Sequence, residues 1–456
     1  MKKNLLLGCA LLAAGTSFAA IPTDGCTYET KDGVQMQSIW CASRLINPDA
    51  FNKVFSAETG LNGDNARRCC ALNGKIYVTA AELKSDGDDK SYPASLVTFD
   101  LLTGEFIDSK PLMLDGAQID GQLAALNIGV DDFGHVWVTG YNSGAETTKI
   151  PIYVLDVETG VLTLAGEPIE WPADDAASRA RIDFSDVTGD VTGEQADGVY
   201  GAAGAQTTYC YRFVREQDSA TWEPGMDGYA AWPAEDVQVW PETAAAWGDN
   251  STLVFAEGTS TMFYANGRSA LPSCYSCEGG VSELIGSFSM AGEGCSPDKP
   301  GTTGAFEFVL GDHMYLAYGN TQGDAGASTK ISRMGGDATG GTFDGMELMW
   351  DMPANGGYSD ISNGGHAFRT MYPVYTEDAN GKKGVYIVSF YSKTVLAVYL
   401  VAEEGFEAGV TDIAVDNDVN APAEYFNLQG VKVNNPANGL YIVRQGNKVT
   451  KQYVVK

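Results

Sequence analysis

Histidine is nearly missing from this chain: three residues in 456. That scarcity argues against a metal centre built from several imidazoles. Basic residues are also few, 29 Lys and Arg against 59 Asp and Glu, for a formal charge of −30. A surface of that sign repels nucleic acid and anionic lipid headgroups, so neither is an expected partner. It attracts calcium, cationic partners or neutral glycans, or serves solubility alone. No apolar run reaches the ~20 residues a membrane helix needs, so no transmembrane segment is expected. Three sequence signatures of catalysis are lacking as well: the Gly-x-Ser-x-Gly elbow, the zinc-binding His-Glu-x-x-His and the phosphate loop.

What is present first concerns address. Lys2 and Lys3 precede an apolar stretch over residues 5–14, and Ser17-Phe18-Ala19 offers a small-x-small cleavage pattern. Residues 1–20 therefore read as a signal peptide, and the product as secreted or held at the outer cell surface. Cys9 lies inside the apolar stretch, where a lipid-modified cysteine would close it, and leaves with the signal. Without Lys2 and Lys3 the balance is 27 basic (29 − 2) against 59 acidic, or −32.

Nine cysteines less Cys9 leave eight, an even number that suits disulfides in an oxidising compartment. Cys26 and Cys41 would close a loop worth about 3 kcal/mol in the chain-entropy model. Cys274, Cys277 and Cys295 form a second group. Cys274-Tyr275-Ser276-Cys277 lacks the second pair of a zinc ribbon and the helix start of a redox motif, which favours a structural disulfide involving Cys295.

Glycine (54) and tyrosine (22) are abundant, and short β-rich runs dominate, so the body reads as all-β. A unit recurs in it. Ala71-Leu72-Asn73-Gly74 leads into KIYVTA at residues 75–80, and Asp131-Asp132-Phe133-Gly134 into HVWVTG at 135–140. Further copies begin near Asp197, Asn250, Gly311 and Lys383. The period of roughly 60 residues is longer than common propeller repeats and fits four strands with long loops. In the first two units a third strand ends in Asp-x-x-Thr-Gly, at Asp100 to Gly104 and Asp156 to Gly160. That is the turn of an outer hairpin, with Gly at positive φ and the Asp and Thr side chains bonding the backbone. Six copies predict a six-bladed β-propeller over residues 21–402, closed by pairing of residues 38–45 with 395–401. A two-sheet sandwich array is the alternative. The body resembles secreted β-propeller-like proteins.

Residues 403–424 are acidic, rich in small residues and carry Pro422, a linker composition. From Tyr425 onward no Asp or Glu occurs, while Lys432, Arg444, Lys448, Lys451 and Lys456 do. Gly430, Gly439 and Gly446 punctuate a small antiparallel β-module over 425–456. Tyr425-Phe426-Asn427-Leu428-Gln429-Gly430, then Asn438-Gly439-Leu440-Tyr441-Ile442-Val443, then the strand carrying Lys451, resembles the C-terminal sorting domain of type IX secretion substrates. The resemblance implies export through the outer membrane, with the secretion translocon as partner, Asn427, Gly430, Gly439, Tyr441 and Lys451 as sorting residues, and often removal of the tail. The other assignment is a module that caps the body.

On a propeller the first strand of each blade lines the central channel. Arg67 or Arg68, Arg181, Asp183, Trp247, Glu307, His366, Arg369 and Tyr372 fall on or beside such strands and can offer guanidinium, carboxylate and aromatic groups to a glycan or peptide. Strand alternation sends only every second residue inward, and inter-blade Arg–Asp pairs are the competing assignment. His135 and His313 open predicted strands and read as turn or core residues. Asp183 and Glu307 are the carboxyl pair that glycoside hydrolysis would use. Calcium is a possible cofactor at Asp86 and Asp88, or at Asp186 and Asp190, although Thr192 and Gln195 depart from an EF-hand loop. Trp232, Trp240 and Trp247 stack on sugars if exposed and pack between blades if buried. The leading expectation is a surface or secreted propeller that binds a glycan or surface protein. Its rivals are a polysaccharide hydrolase or lyase and a structural surface component.

Overall fold

A computed structural model of the chain describes residues 21–61, 66, 68–81, 84–86, 89–120, 127–140, 149–170, 182–204, 209–225, 231–233, 251–267, 270–278, 283–288, 302–320, 328–354, 357–358, 369–392, 394–407, 424–426, 432–433, 439–445 and 448–454. The contacts divide it into two units, one of Met1–Glu377 with Lys382–Gly405 and one of Asp378–Gly381 with Phe406–Lys456.

The first unit is a six-bladed β-propeller. From innermost to outermost strand, blade 1 runs Cys69–Leu72, Lys75–Ala81, Ala94–Asp100 and Phe106–Pro111. Blade 2 runs Asn127–Val130, Val136–Thr139, Ile152–Asp156 and Val161–Leu164. Blade 3 has Ile182–Gly189, Gly198–Gly204 and Tyr209–Arg215, with Glu223–Pro224 and Ala231–Pro233 both pairing its third strand. Blade 4 is Thr252–Phe255, Met262–Gly267, Ala270–Ser276 and Glu283–Ser287. Blade 5 is Thr302–Leu310, His313–Asn320, Ser328–Asp337 and Gly340–Met352. Blade 6 takes Arg369–Glu377, Lys383–Tyr391 and Val395–Glu403 from the end of the body and Val34–Ser43 from its start. Neighbouring innermost strands adjoin all the way round, blade 6 against blade 1 included.

Local chemistry accounts for the pieces. Asn73 and Gly74, at φ 51 and 75, make the two-residue turn between the first strands of blade 1, where both central positions need positive φ. Asp100 Oδ1 accepts from the N–H of Leu102 and Thr103 and from the Thr103 hydroxyl. Asp156 Oδ1 accepts from the N–H of Glu158 and Thr159, so both Asp-x-x-Thr-Gly turns are the outer hairpins expected. Small residues let blades approach: a Cβ at Gly201 would stand 2.6 Å from Phe255 and 2.7 Å from Leu253 of the next blade.

Closure joins the two ends of the body. Val34–Ser43 pairs antiparallel with Val395–Glu403, in register Val34↔Glu403 through Ser43↔Val395 with one bulge near Trp40. Trp40 is fully buried and donates its Nε1–H to Leu101 O of blade 1 at 2.8 Å, linking blade 6 to its neighbour. One repeat is shifted from its expected place. The segment after Asn250 is the innermost strand of blade 4, whereas the other copies form second strands. Periodicity alone does not tell two adjacent apolar strands apart.

Among the described residues no disulfide is formed, and Cys26, Cys41, Cys69, Cys70, Cys210, Cys274 and Cys277 are free thiols. Cys274 and Cys277 do not bridge because they belong to one extended segment. Three residues apart they turn to opposite sides, Cys274 into the core shared with blades 5 and 6 and Cys277 into the core shared with blade 3. Cys295 lies outside the described residues.

In the second unit, Lys432–Val433, Glu424–Phe426, Gly439–Gln445 and Lys448–Val454 form one antiparallel sheet in that order.

Truncating the closing tryptophan tests the closure. Trp40→Ala is expected to lower stability by about 3–5 kcal/mol. A urea midpoint within error of the wild type would show that the ring does not depend on this link.

Candidate functional site

Hydrogen bonds that skip a blade locate the axis, because two such blades meet only across the centre. Arg68, just before the innermost strand of blade 1, donates Nη1–H to Ser185 O of blade 3, and its Nη2 stands 3.9 Å from Asp186 Oδ1. The Arg68 guanidinium also lies 5.5 Å from the centroid of the Trp137 ring in blade 2. Gly129 permits that placement, since a Cβ there would come within 2.4 Å of the indole. Asp186 Oδ2 accepts from the Phe255 N–H of blade 4 at 3.1 Å. Burial pushes the Asp186 carboxyl up, against the opposing pull of Arg68 and the backbone N–H groups. Tyr372 of blade 6 adjoins this node. Its hydroxyl is pushed well above the ordinary value, by burial first and then by Cys70 and Asp186.

A second node occupies the side of blades 4, 5 and 6. Glu307, on the innermost strand of blade 5, accepts from the Tyr264 hydroxyl of blade 4 and from the Glu257 N–H at 3.3 Å. Tyr375 of blade 6 reaches Glu307 O at 3.4 Å. Burial pushes the Glu307 carboxyl up, and the Tyr264 and Glu257 donors offset this only in part. Among the described residues neither Glu257 nor Glu307 has a basic partner. Tyr375 keeps 40% of its surface exposed, yet burial and the adjacent Glu257 push its hydroxyl well up.

Of the residues expected on the channel, Glu307 and Tyr372 are brought to the axis. Asp183 and Arg369 lie in the innermost strands of blades 3 and 6, with their side chains outside the described residues. Arg67, Arg181, Trp247 and His366 lie outside them altogether, as do Asp88 and Trp240, and the side chains of Asp86 and Trp232. Arg68, offered beside Arg67, forms the inter-blade Arg–Asp contact weighed against ligand binding. Trp137, Tyr264 and Tyr375 were missed. Tyr375 carried a signal, an aromatic within the innermost strand of blade 6, but the carboxylates beside it come from distant segments.

Asp186 and Asp190 do not share a site. Four residues of strand separate them by about 13 Å, and Asp190 belongs to the turn that follows. Asp190 Oδ1 accepts from Thr192 N–H and Oγ1–H, and Oδ2 from Gln195 N–H. His135 Nδ1 lies 2.9 Å from Asp131 Oδ2 and 3.3 Å from Asp190 Oδ1, so Asp131, His135 and Asp190 form one cluster. Asp131 also accepts from the N–H groups of Phe133, His135 and Val191. With each carboxylate oxygen already accepting, the cluster acts as a joint between blades 2 and 3. His135 is the turn residue expected.

The folded-state value of Glu307 is raised above its unfolded one. Its contribution to stability is therefore fully present below the unfolded pKa and is lost as pH rises through the folded pKa. In Glu307→Gln the amide oxygen still accepts, so the difference in Tm from the wild type should become more positive between pH 4 and pH 7. A difference independent of pH would mean the carboxyl titrates normally.

No protein-family model matches the chain, and no curated protein matches its sequence. Among solved structures it is similar to a Hadza microbial sialidase, at 11% identity over 74% of this chain and 65% of that one, with a TM-score of 0.41. The match thus spans just under two thirds of that sialidase. It is also similar to a Penicillium chrysogenum α-L-arabinanase complexed with arabinobiose, at 9% identity over 75% and 95% of the two chains and a TM-score of 0.41. A third is a Fusarium graminearum α-L-arabinofuranosidase, at 10% identity over 75% and 94%, with a TM-score of 0.43. These likenesses concern architecture alone.

Proposed function

We propose that this chain is a secreted or cell-surface propeller that binds a neutral glycan in its axial recess and is exported by its C-terminal sorting tail. The observation that carries the binding proposal is the accessible Tyr375, set beside Glu307 and Glu257 where three blades meet. An aromatic face flanked by hydrogen-bonding oxygens is the chemistry that holds a sugar ring. The strongly acidic surface favours neutral over anionic glycans. Binding without turnover is preferred because Glu307, the described carboxylate beside Tyr375, has both oxygens accepting from protein donors.

Titration of the purified chain against neutral, sialylated and sulfated oligosaccharides tests this. Binding is expected to a neutral member, without release of reducing ends. Tyr375→Ala should weaken it roughly ten-fold, or about 1.4 kcal/mol. Reducing ends released by the wild type and lost in Asp183→Asn or Glu307→Gln would replace the binder with a hydrolase.

The charge reversal at Tyr425 and the motif around Asn427, Gly439 and Lys451 support the export proposal. Deletion of residues 425–456 should leave the folded body inside the outer membrane. Surface display unchanged by the deletion would make the module a cap.

A further inference from the structure

Late residues of four innermost strands meet around the axis. Asp186 of blade 3 accepts from the Phe255 N–H of blade 4, Glu307 of blade 5 accepts from the Glu257 N–H of blade 4, and the Tyr375 hydroxyl of blade 6 reaches Glu307 O. These strands therefore run the same way, and the turns that follow them share one face of the ring. Tyr375 lies two residues before the end of Arg369–Glu377, and Glu257 two residues past the end of Thr252–Phe255, so both stand at that face.

Glu257 is held by its backbone while the residue stays exposed. Its N–H goes to Glu307 Oε1 at 3.3 Å. The turn it occupies is closed by Ala256 N–H on Met262 O at 2.9 Å, and Thr259 Oγ1 accepts from the N–H groups of Thr261 and Met262.

Hydrogen-bond sense then constrains a ligand. Both Glu307 carboxylate oxygens are taken, by the Glu257 N–H and the Tyr264 hydroxyl. Glu257 has no basic partner among the described residues, and its carboxylate bears on the Tyr375 hydroxyl. An ionised carboxylate only accepts, at about four lone-pair sites, and one hydroxyl proton fills one of them at most. Among the described residues, the edge of the accessible Tyr375 ring thus has spare accepting capacity and no spare proton. A ligand on the ring must bring donors there, and two neighbouring hydroxyls match the two carboxylate oxygens. A carboxylate or sulfate at that place would meet Glu257 as a like charge.

We propose that Glu257 is the specificity-determining residue of the Tyr375 site and selects sugars with two adjacent unsubstituted hydroxyls. This rests on the glycan reading and names what that site selects.

Wild type and Glu257→Ala are titrated with glucose, mannose and xylose tetrasaccharides and with their singly O-methylated derivatives. Methylation at each of two adjacent positions should weaken wild-type binding roughly ten-fold, and Glu257→Ala binding about two-fold or less. Glu257→Gln keeps one accepting oxygen and should fall between, while binding sialylated oligosaccharides more tightly than the wild type does. Equal methylation penalties in wild type and Glu257→Ala would overturn the proposal, and the glycan reading would still stand on the loss in Tyr375→Ala. A wild type that binds none of the neutral sugars would overturn both. The bond from the Glu257 N–H survives either substitution, so both variants should melt with the wild type. If one does not, the wild-type methylation series decides, and penalties spread evenly over all positions would overturn the proposal.

Discussion

The inner strands of the blades are buried on both faces, so no single blade can cover itself. The structure therefore depends on closing the ring, which falls to one strand, Val34–Ser43, laid along Val395–Glu403. Without that pairing blade 6 loses its outer strand and blade 1 its buried link through Trp40. Hydrophobic burial is non-directional, so it drives the blades together without specifying how many there are. The number is set by which strand ends up beside which, and the closing register decides that.

Closure has a consequence at the centre. Six innermost strands bring polar side chains from remote segments into a small volume, where each must find a partner. Arg68 crosses to Ser185 and Asp186, while Glu307 is held by Tyr264 and Glu257. Raised carboxyl values at Asp186 and Glu307 are the electrostatic trace of that crowding. The same geometry sets an accessible aromatic ring, Tyr375, beside the hydrogen-bonding groups of Glu307. Away from the axis, the Asp131–His135–Asp190 cluster shows the other use of polar groups, pinning one blade's turn to the next.

Local features of this fold were open to inspection in the amino-acid order. The Asn73-Gly74 turn, the two Asp-x-x-Thr-Gly hairpins and the small-residue strands each follow from backbone preference within a few residues. The blade number followed from six copies of a unit at roughly 60-residue spacing, and the closing segments from one strand at each end of the body. The Asn250 copy was misplaced by one strand, since neighbouring strands buried on both sides share a composition.

The chain order alone thus determined an all-β repeat protein with a charge-reversed tail. Tertiary structure decided which side chains meet. Tyr375 lies 68 residues from Glu307 along the chain, and Arg68 lies 117 from Ser185. No local periodicity encodes such distances, because those contacts depend on where the closed ring places each strand, and strand alternation then selects the residues that reach the axis.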